Sequence, residues 1–554
     1  MGFFKVVAVD IDGTLTSNGA LSSAAVRAIR DARLNGTQVV LVTGRIGREL
    51  QAEFPDLSDH VDAVVLENGA VAVVDGRSVA LAPPVDPALD AELSARGIPF
   101  RRGETLIAAD GQYAAATVEA IGELGLDCQI IRNRGALMVL PAGVTKGTGL
   151  CGVLARMNRS PHNTIAIGDA ENDVSMMAAA ELGVAVANAL PSVKAHADEV
   201  LSESDGEGVA GILTGPILSG ARRWCPMRRW IDIGAFDDGA PTRLPGSQGR
   251  IVVTGPAGSG KSHIIGLMAE RWILAGYGVL VVDPEGDHTQ LATLDHVAAV
   301  DSRYHLPQPS DLVAMLHPSS SAVVDLSALS TDEKRDYVHR LRPVVEAHRE
   351  QYGFPHWTVY DEAHLLGPGQ EVRWVRRGGY VLSSFVAAAL PADEIDASDV
   401  VVEMEDSDQS PSALHPAPRA AVRYGGNPKR AFAVAERRTA HVRHRHKYAD
   451  VALPRERRFY FHSVDGQSIA PAGTMEEFGA ALRRLTPQAL EFHLERGDFS
   501  RWLERIINDR KLAAEVASWE DEMAAHRAAE VERVRQQLIR AVRDRYLDDR
   551  GALD

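Results

Sequence analysis

Residues 5–16 read KVVAVDIDGTLT, a lysine and a short apolar run followed by two aspartates and a glycine. The run VVAV (6–9) has the length and composition of a buried strand, and Asp10 follows where that strand ends. Two further runs end in the same way, because VVLV (39–42) leads to Thr43 and TIAI (164–167) leads to Gly168 and Asp169. Ligands of an open parallel sheet bind at the carboxyl ends of its strands. We therefore expect these three strand ends to converge on one site.

The residue types at this expected site are those that phosphoryl chemistry requires. Attack on a phosphoryl group needs a nucleophile, an acid that protonates the leaving oxygen, and positive charge. Asp10 and Asp12 supply the nucleophile and the acid/base, and Gly13 allows the chain to turn sharply after them. Thr43 offers a hydroxyl and a backbone N–H to a phosphate, and Lys146 offers a point charge.

A second pair of carboxylates points to a metal ion. Asp169 and Asp173 lie four residues apart after a strand, and such oxygen ligands suit Mg²⁺. Any one of these fragments alone is also explained as a strand end followed by a turn, where Asp, Gly and Asn are common. Their occurrence together and in order favours a phosphatase site over that reading. Every expected catalytic position is filled, which favours an active site over a degenerate, inactive copy.

Four motifs resemble those of haloacid-dehalogenase superfamily phosphatases: DIDGTLT (10–16), VTGR (42–45), KGTGL (146–150) and GDAENDVSMM (168–177). The resemblance implies that Asp10 forms an aspartyl-phosphate, that Asp12 is the general acid/base and that Lys146 stabilises charge. It implies magnesium binding by Asp10, the carbonyl of Asp12 and Asp169, with Asp173 in support. It also implies phosphate or substrate contacts from Gly13, Thr43, Gly44, Arg45 and Asn172.

LENGA (66–70) resembles the run that follows the second motif in the subgroup whose cap is inserted between motifs two and three. Here the insert is short, about 76–142, as in phosphoglycolate and sugar-phosphate phosphatases with small α/β caps. The resemblance implies a small phosphorylated metabolite as substrate. Cap arginines such as Arg101, Arg102, Arg132 and Arg134 either read a second anionic group of the substrate or are solvated surface.

A second motif is typical of nucleotide binding. The strand-like run RIVVT (250–254) leads into GPAGSGKS (255–262) and then into a helical pattern, which is the context of a P-loop. Gly255, Gly258 and Gly260 let backbone N–H groups surround phosphates at a helix N-terminus. Lys261 is expected to reach the β- and γ-phosphates of ATP, and Ser262 to ligate Mg²⁺.

The run HWTVY (356–360) ends in Asp361 and Glu362, as in a Walker B element. Asp361 would assist the magnesium ion, and Glu362 would polarise water, which favours ATP hydrolysis over transfer to a bound alcohol. An acidic pair at an exposed helix start is the alternative. GYGVLVVDPEGDH (276–288) and RRGGYVLSSF (376–385) resemble segments of HerA- and FtsK-like ATPases, in which Ser383 or Ser384 would sense the γ-phosphate.

The length, net charge and cysteine content of the chain limit the class of protein to which it can belong. A chain of 554 residues is expected to form three or four units, and its net charge of −16 argues against general polyanion binding. The three cysteines, Cys128, Cys151 and Cys225, have no CxxC spacing, which fits a reducing cytosol. The N-terminus does not resemble a signal peptide, and no apolar stretch reaches about 18 residues. We therefore expect a cytoplasmic protein without membrane contact.

The predicted fold class is α/β. Residues 1–220 form a Rossmann-like parallel sheet (core 1–75 and 143–220) with a small α/β cap (76–142). Residues 221–249 are rich in Arg, Pro and Gly and are interpreted as a linker, and 250–435 as a P-loop, HerA-like domain. Residues 436–554 hold a basic segment, RRTAHVRHRHKY (437–448), and a mostly helical domain. Its last helix is interpreted as a packing contact or a contact within a homo-oligomer.

Two functions from different classes follow. The leading one is a magnesium-dependent phosphatase for a small phosphorylated metabolite, fused to an ATP-binding and ATP-hydrolysing domain. The alternative is a nucleic-acid processing protein, in which a HerA-like motor or a polynucleotide kinase-like activity is coupled to end phosphatase activity. In that case DNA or RNA would bind through the ATPase domain or the basic segment 437–448.

Overall fold

The first part of the chain alternates strands and helices, as its apolar runs predict. The computed structural model describes residues 2–17, 19–133, 135–256, 259–363, 378–384, 395–405, 418–439, 453, 455, 458–507, 509–525 and 531–546. In chain order the first elements are β1 (Val6–Val9), β2 (Thr16–Ser17), β3 (Ala20–Leu21), α1 (Ser23–Leu34), β4 (Gln38–Val42), α2 (Gly47–Glu53), β5 (Ala63–Leu66), β6 (Val71–Val74), β7 (Arg77–Ala80), α3 (Ala88–Ala95), β8 (Phe100–Arg102), β9 (Ile107–Asp110), α4 (Ala114–Leu124), β10 (Cys128–Asn133), β11 (Ala136–Pro141), α5 (Lys146–Arg156), β12 (Thr164–Gly168), α6 (Val174–Ala179), β13 (Leu182–Ala185), α7 (Pro191–Lys194), β14 (Glu199–Val200), α8 (Asp205–Thr214) and α9 (Pro216–Ser219).

The described residues of this part form an eight-stranded sheet in the order β14-β13-β12-β1-β4-β5-β6-β7. Strand β1 lies between β12 and β4 and is parallel to both. Every residue of β1 is buried, because helices cover both faces of a parallel sheet. The central strand therefore carries the DIDGTLT motif at its carboxyl end.

The insert between motifs two and three forms a separate antiparallel sheet, β10-β11-β9-β8, which shares a small apolar core with α3 and α4. Strand β7 lies inside the predicted insert (76–142) but pairs with β6 as the edge strand of the first sheet. A tight turn at Asp75 and Gly76 makes this hairpin local, so the chain leaves the first sheet only after residue 80. We call β8–β11 with α3 and α4 the insert sheet.

A second, larger sheet follows. Its elements are β15 (Ile231–Phe236), β16 (Pro241–Leu244), β17 (Arg250–Thr254), α10 (Lys261–Leu274), β18 (Val279–Asp283), β19 (Val297–Asp301), α11 (Pro309–Ala314), β20 (Ser321–Asp325), α12 (Thr331–Tyr352), β21 (Trp357–Tyr360), β22 (Tyr380–Ser384), β23 (Val400–Met404), β24 (Arg419–Tyr424) and β25 (Arg430–Val434). In the described residues the order is β16-β15-β25-β24-β23-β17-β22-β21-β18-β20-β19. The strands from β23 to β19 are parallel to one another, and helix α10 packs its buried side chains on this sheet.

The stretch 221–249 is more than the predicted linker. It contains β15 and β16, which form a hairpin, and β15 also pairs with β25. In β15, Ile231 and Ile233 are buried and Asp232 between them is exposed, as expected for a strand with one covered face. The surrounding Arg, Pro and Gly residues hide this short alternation in the sequence.

The last part of the chain combines a hairpin with helices. Its elements are β26 (Phe459–His462), β27 (Ser468–Ala472), α13 (Met475–Arg484), α14 (Pro487–Glu495), α15 (Asp498–Trp502), α16 (Arg510–Ala525) and α17 (Val531–Tyr546). Phe459, Phe478 and Phe499 lie in one apolar core with residues of the helices. None of the described helices has both the length and the apolar character needed to cross a bilayer.

The first and second sheets contact each other through the amino ends of their strands. Glu181, which precedes β13, is fully buried and binds three groups around it. Its carboxylate accepts hydrogen bonds from Tyr277 Oη (2.9 Å) and Ser247 Oγ (2.5 Å) and lies 2.9 Å from His162 Nδ1. The rings of His162 and Tyr277 stack with their centroids 3.7 Å apart. A buried polar cluster therefore joins the amino edges of the two sheets. The DIDGTLT motif of the first sheet and the P-loop motif of the second sheet lie at the opposite, carboxyl edges.

Candidate active site

Three aspartates from distant parts of the chain meet at the carboxyl edge of the first sheet. Asp10 follows β1, Asp169 follows the neighbouring strand β12, and Asp173 stands in the turn before α6. All three are buried, and one carboxylate oxygen of each lies within 4.8 Å of those of the other two. Because β1 and β12 are paired in register, with Val9 opposite Ile167, Asp10 and Asp169 emerge side by side. The predicted convergence of these strand ends is therefore present.

Lys146 brings positive charge into this cluster. It is the first residue of α5, whose start is capped by Thr145, and its ammonium Nζ lies 2.5 Å from Asp10 Oδ1 and 2.5 Å from Asp173 Oδ1. Burial alone would lower the pKa of Lys146, but the two carboxylates outweigh it and raise the pKa. The lysine therefore stays protonated inside the site.

The charge of the cluster is not balanced by Lys146 alone. With all three carboxylates ionised, one ammonium group leaves two negative charges unbalanced in a site shielded from water. Burial and the neighbouring Asp173 raise the pKa of Asp10 to about 8, although Lys146 opposes the shift. A divalent cation bound to these oxygens would offset both effects, and carboxylates are the ligands that Mg²⁺ prefers. The residues present thus fit the ion that the sequence predicts.

Asp12 occupies a more open position than Asp10. Gly13 adopts a φ of 88°, which allows the chain to turn directly after Asp12. The Asp12 carboxylate accepts two hydrogen bonds from Arg45, at 2.8 Å from Nε and 2.7 Å from Nη2, and Arg45 also pairs with Glu53. Its side chain is not among the three clustered carboxylates. Arg45 of the VTGR motif therefore orients Asp12, whereas its predicted contact was with phosphate or substrate.

Thr43 and Gly44 follow β4, which is the parallel neighbour of β1. The Thr43 hydroxyl is buried and accepts a hydrogen bond from the N–H of Arg45 at 3.2 Å. The backbone N–H of Thr43, predicted to face a phosphate, instead donates to the Val65 carbonyl at 2.8 Å. The reason is that the pairing of β4 with β5 continues one residue beyond the strand. Of the two Thr43 groups that were predicted to contact a phosphate, only the hydroxyl can still do so.

Asn68 of the LENGA run borders the site and its neighbour Glu67 contacts the insert sheet, although the sequence assigned neither residue a role. Asn68 Oδ1 accepts a hydrogen bond from Asn172 Nδ2 at 2.9 Å, and a Cβ on Gly44 would lie 3.1 Å from the Asn68 side chain. Glu67 is buried and binds backbone groups of the insert sheet. Both residues have a φ of 53°, a left-handed conformation that is unusual for a glutamate. In the sequence, the signal that could have revealed these roles was the position of the run after the second motif.

The arginines predicted in the cap differ in environment where the structure describes them. Arg101 pairs with Glu49 of α2 at 2.7 Å, and Arg102 pairs with Asp90 of α3 at 2.7 Å. Arg132 is exposed, and Arg134 lies outside the described residues. The ion pair of Arg101 therefore reaches a helix of the first sheet.

The P-loop motif joins β17 to α10 in the second sheet. Gly255 and Gly260 adopt φ values of 153° and 97°, and Gly258 lies outside the described residues. Lys261 and Ser262 begin α10, and Lys261 Nζ donates to the Pro256 carbonyl at 3.3 Å. This is the strand, loop and helix arrangement in which backbone N–H groups surround phosphates.

The predicted Walker B residues lie beside this loop. Glu362 Oε1 is 3.7 Å from Lys261 Nζ, and the N–H of Glu362 donates to Ser383 Oγ at 2.8 Å. Asp361 accepts a short hydrogen bond from Ser383 Oγ and lies 2.8 Å from His288 Nε2. β22, which carries Ser383, lies between β17 and β21, so Lys261, Asp361 and Ser383 converge at one edge. His288 was not predicted as part of this group.

His288 connects Asp361 to a further buried carboxylate. Its backbone N–H donates to Asp283 Oδ2 at 2.7 Å, at the carboxyl end of β18. Burial and the neighbouring Asp287 raise the pKa of Asp283 to about 6, although His288 opposes the shift. Burial would lower the pKa of His288, but Asp283 and Asp361 outweigh it and raise the pKa. The acidic segment DPEGDH therefore packs against Asp361, the predicted Walker B residue.

The basic segment 437–448 is described only as far as residue 439. The backbone N–H groups of Arg438 and Thr439 donate to the Glu270 carboxylate of α10, at 2.9 and 2.7 Å. Residues 440–448 lie outside the described residues. The start of the segment is thus fixed on the second sheet's first helix.

Comparison with known proteins divides the chain in the same way. Residues 7–84 and 105–213 match a family described as haloacid dehalogenase-like hydrolase, and residues 248–307 match the central domain of helicase HerA. The chain is 33% identical over 222 residues to a phosphoglycolate phosphatase of Archaeoglobus fulgidus, which covers 38% of this chain and 95% of that relative. It is 35% identical over 215 residues to a phosphoglycolate phosphatase of Methanothermobacter thermautotrophicus, covering 37% and 96%. A solved haloacid dehalogenase-like hydrolase of Bacteroides thetaiotaomicron matches with 21% identity and a TM-score of 0.34, covering 38% of this chain and 98% of that one.

Proposed function

Through residues 7–84 and 105–213 the chain belongs to the haloacid dehalogenase-like hydrolases, and we propose that this part is a phosphatase for a small phosphorylated metabolite. The observation that carries the proposal is the meeting of Asp10, Asp169, Asp173 and Lys146 at one edge of the first sheet. Such a group of charges serves phosphoryl transfer, because the transferred group is anionic and needs positioning and charge stabilisation.

We assign the chemical steps to two aspartates. An Asp10 carboxylate oxygen attacks phosphorus, the bond from phosphorus to the leaving oxygen breaks, and Asp12 gives its proton to that oxygen. Asp12 then takes a proton from water as the water attacks the aspartyl-phosphate, which releases inorganic phosphate and restores Asp10. The bidentate contact with Arg45 orients Asp12 in its ionised form, which is the form that takes the proton from water in the second step.

Residues around Asp10 would hold the phosphate and a magnesium ion. The Thr43 hydroxyl, Gly13, Gly44 and Asn172 are proposed to contact the phosphate, and Lys146 to neutralise its charge. Mg²⁺ would be held by Asp10, Asp169 and Asp173, with the Asp12 carbonyl as a further ligand. When bound, the ion supplies Lewis-acid stabilisation of the phosphoryl oxygens.

The proposed substrate is phosphoglycolate or a compound of similar size. The relatives that match most of their length to this chain are named phosphoglycolate phosphatases. The insert sheet also contacts the site region, because Met138 Sδ lies 2.8 Å from Asn68 Nδ2. The insert sheet therefore occupies space on this side of the site, which favours a short substrate over a bulky one.

The second sheet is proposed to bind and hydrolyse ATP. Lys261 and the backbone of the Gly255–Gly260 loop would bind the phosphates, Ser262 and Asp361 would support Mg²⁺, and Glu362 would orient water. The convergence of Lys261, Glu362 and Ser383 supports this proposal. The match to the HerA central domain, which covers residues 248–307, is in accord with it.

The relation of the two sheets favours separate activities over the nucleic-acid alternative. Glu181 and His162, at the amino ends of the first sheet's strands, contact Tyr277 and Ser247, at the amino ends of the second sheet's strands. Each proposed site lies at the opposite, carboxyl edge. At about 3.3 Å per residue, the strands between them separate the sites by on the order of 30 Å. Direct transfer of a phosphorylated end from one site to the other is therefore disfavoured.

A substrate screen tests the proposal. The purified chain with Mg²⁺ is incubated with phosphoglycolate, sugar phosphates, and oligonucleotides that carry a 3′- or 5′-phosphate, and released phosphate is measured beside Asp10→Asn. The proposal expects release from the small compounds only, unaffected by added DNA. Release from oligonucleotides, or ATP hydrolysis stimulated by DNA with a steep salt dependence, would instead support the nucleic-acid alternative.

A further inference from the structure

Glu67 is a buried carboxylate to which the reaction assigns no role. Only 1% of the residue is exposed, and its two oxygens accept four hydrogen bonds. The donors are the backbone N–H groups of Glu104 (2.7 Å), Thr105 (2.9 Å) and Leu106 (3.0 Å), and the Thr105 hydroxyl (2.7 Å). All four belong to the loop between β8 and β9 of the insert sheet. Burial of a carboxylate is unfavourable unless it is bonded in this way.

The loop is shaped to receive this carboxylate. The N–H of Gly103 donates to the Leu106 carbonyl at 2.9 Å, which closes the loop into a turn whose next three N–H groups face Glu67. A Cβ at Gly103 would lie 2.3 Å from Glu67 Oε1, so a larger residue there would displace the carboxylate. Leu106 is fully buried in the core of the first sheet. The loop is thus fixed to the first sheet by both polar and apolar contacts.

The residue after Glu67 reaches the proposed phosphate site. Asn68 bonds Asn172 at 2.9 Å and approaches Met138 of β11 at 2.8 Å. Its side chain also lies where a Cβ on Gly44 would come within 3.1 Å. Glu67 therefore holds the insert sheet, and the next residue, Asn68, lines the proposed phosphate site.

We propose that Glu67 is a positioning residue that holds the insert sheet in place at the Asp10 site and so restricts the size of the phosphomonoester that is hydrolysed. This proposal rests on the proposed phosphatase function. With the four bonds intact, Met138 stays against Asn68, and only a short substrate fits beneath it. With the bonds weakened, the sheet moves, a short substrate is held less well, and a bulky one enters more easily.

The test uses Glu67→Gln in the full chain. The glutamine keeps the shape of the side chain, but its NH₂ group faces N–H donors and cannot accept from them. Values of kcat and KM are measured with phosphoglycolate and with the bulkier p-nitrophenyl phosphate. Misplacement by about 1 Å costs on the order of 100-fold in rate, so we expect kcat/KM for phosphoglycolate to fall by about 10- to 100-fold. We expect kcat/KM for p-nitrophenyl phosphate to stay the same or rise.

Glu104→Gln is the matched control. Glu104 is in the same loop, but its side chain bonds the exposed Ser78 hydroxyl at 2.9 Å, so the preference between substrates should not change. An equal loss with both substrates in Glu67→Gln would show a merely structural role and overturn the proposal. An unchanged preference, or the same change in Glu104→Gln, would overturn it as well.

A measurement without substrate separates this proposal from the phosphatase proposal. Glu67→Gln is expected to speed amide hydrogen exchange of residues 104–106 by about tenfold or more, because the hydrogen bonds of these amides to residue 67 open locally. Exchange in β1 and β12 should be unchanged. Unchanged exchange at 104–106 would overturn the role of Glu67 even if the enzyme is active. If the wild type hydrolyses no phosphomonoester, the proposed function fails, and exchange still shows whether Glu67 holds the loop. Faster exchange without a change in substrate preference would also overturn the proposal.

Discussion

Asp10 and Lys146 face each other where the side chains around them exclude water. Their 2.5 Å contact and the second contact of Lys146 with Asp173 place one cation between two carboxylates. A single side chain therefore serves two neighbours, and the removal of any one group leaves another charge buried without balance. At the residue scale, the site is a set of mutually dependent charges rather than independent ligands.

Asp10→Asn is expected to abolish phosphate release, by at least about 1,000-fold in kcat, because an amide cannot form the acyl-phosphate bond. The measurement is phosphate release from phosphoglycolate, with a far-UV circular dichroism spectrum to establish that the variant is folded. The exposed carboxylate Asp31 on α1 provides the control, since Asp31→Asn should leave kcat unchanged. Residual activity of Asp10→Asn near the wild-type level would contradict the assignment of the nucleophile.

Helix α5 illustrates the element scale, because its start carries Lys146 and its second turn touches the LENGA run. A Cβ on Gly149 would lie 2.3 Å from the Gly69 Cα and 2.7 Å from Val65 Cγ1. The helix therefore reaches its position only because two glycines allow backbone to approach backbone. That approach sets where the helix start, and with it Lys146, stands relative to β5.

Gly149→Ala is expected to lower the free energy of unfolding of the first sheet by about 1–3 kcal/mol, as overpacking does. Thermal unfolding followed by calorimetry measures the change, and phosphatase activity should fall with it because α5 carries Lys146.

Gly122→Ala in α4 is expected to have the opposite effect on stability to Gly149→Ala. Nothing lies within 4 Å of a Cβ built there, and the residue is exposed. Alanine favours a helix interior over glycine by about 0.5–1 kcal/mol, so this variant should be more stable than the wild type. Destabilisation by Gly122→Ala, or a neutral effect of Gly149→Ala, would show that the packing around these helices is not as described.

At the scale of the whole molecule, the cluster around Glu181 joins the first and second sheets. Burial raises the pKa of the Tyr277 hydroxyl well above its ordinary value, so it remains a hydrogen-bond donor. Burial alone would also raise the pKa of Glu181, but His162, Ser247 and Arg229 outweigh it and lower the pKa. Near neutral pH, the two pKa shifts therefore keep the Glu181 carboxylate ionised as the acceptor and the Tyr277 hydroxyl neutral as the donor.

Tyr277→Phe removes only the hydroxyl that binds Glu181. A hydrogen bond to a charged group contributes about 1.5–3 kcal/mol, so thermal unfolding should shift to lower temperature by a corresponding amount. Tyr304→Phe is the control, because Tyr304 is 87% exposed and should show no shift. Equal unfolding temperatures for Tyr277→Phe and the wild type would contradict the importance of this contact.

The lowered pKa of Glu181 predicts how acid affects stability. A carboxylate with a lowered folded-state pKa stabilises the fold above its unfolded-state pKa, and that stabilisation is lost as pH falls through the folded-state pKa. Glu181→Gln lacks this contribution. Its unfolding temperature should be lower than that of the wild type at neutral pH, and the difference should shrink in acid. A constant difference across the acid range would contradict the prediction.

The placement of the two sites predicts their independence. Lys261→Ala is expected to abolish ATP binding, measured by titration calorimetry, and to change kcat for phosphoglycolate by less than about twofold, since distant sites rarely couple. A large fall in phosphatase activity in this variant, with the fold intact, would show that the amino-end contact transmits a change between the sites.

Much of the fold and of the first site was predictable from short segments. Apolar runs that end in Asp10, Thr43 and Asp169 predicted a parallel sheet and a shared edge, and the match to haloacid dehalogenase-like hydrolases confirms the family. The match at residues 248–307 agrees with a HerA-like unit, while the roles of the individual site residues remain predictions. These features are local, because strand periodicity and the geometry of parallel pairing place strand ends without knowledge of their partners.

Other features depended on contacts between segments that are far apart in the chain. The four bonds of Glu67, the link from His288 to Asp361, the strand β15 within 221–249 and the junction at Glu181 each join segments that no local pattern relates. A buried glutamate reads in the sequence like an exposed one, since its partners are backbone groups and side chains brought near only by packing. The sequence thus determined which strand ends carry the proposed chemistry, and the tertiary structure decided what holds them in place, because packing alone selects the partner of each buried polar group.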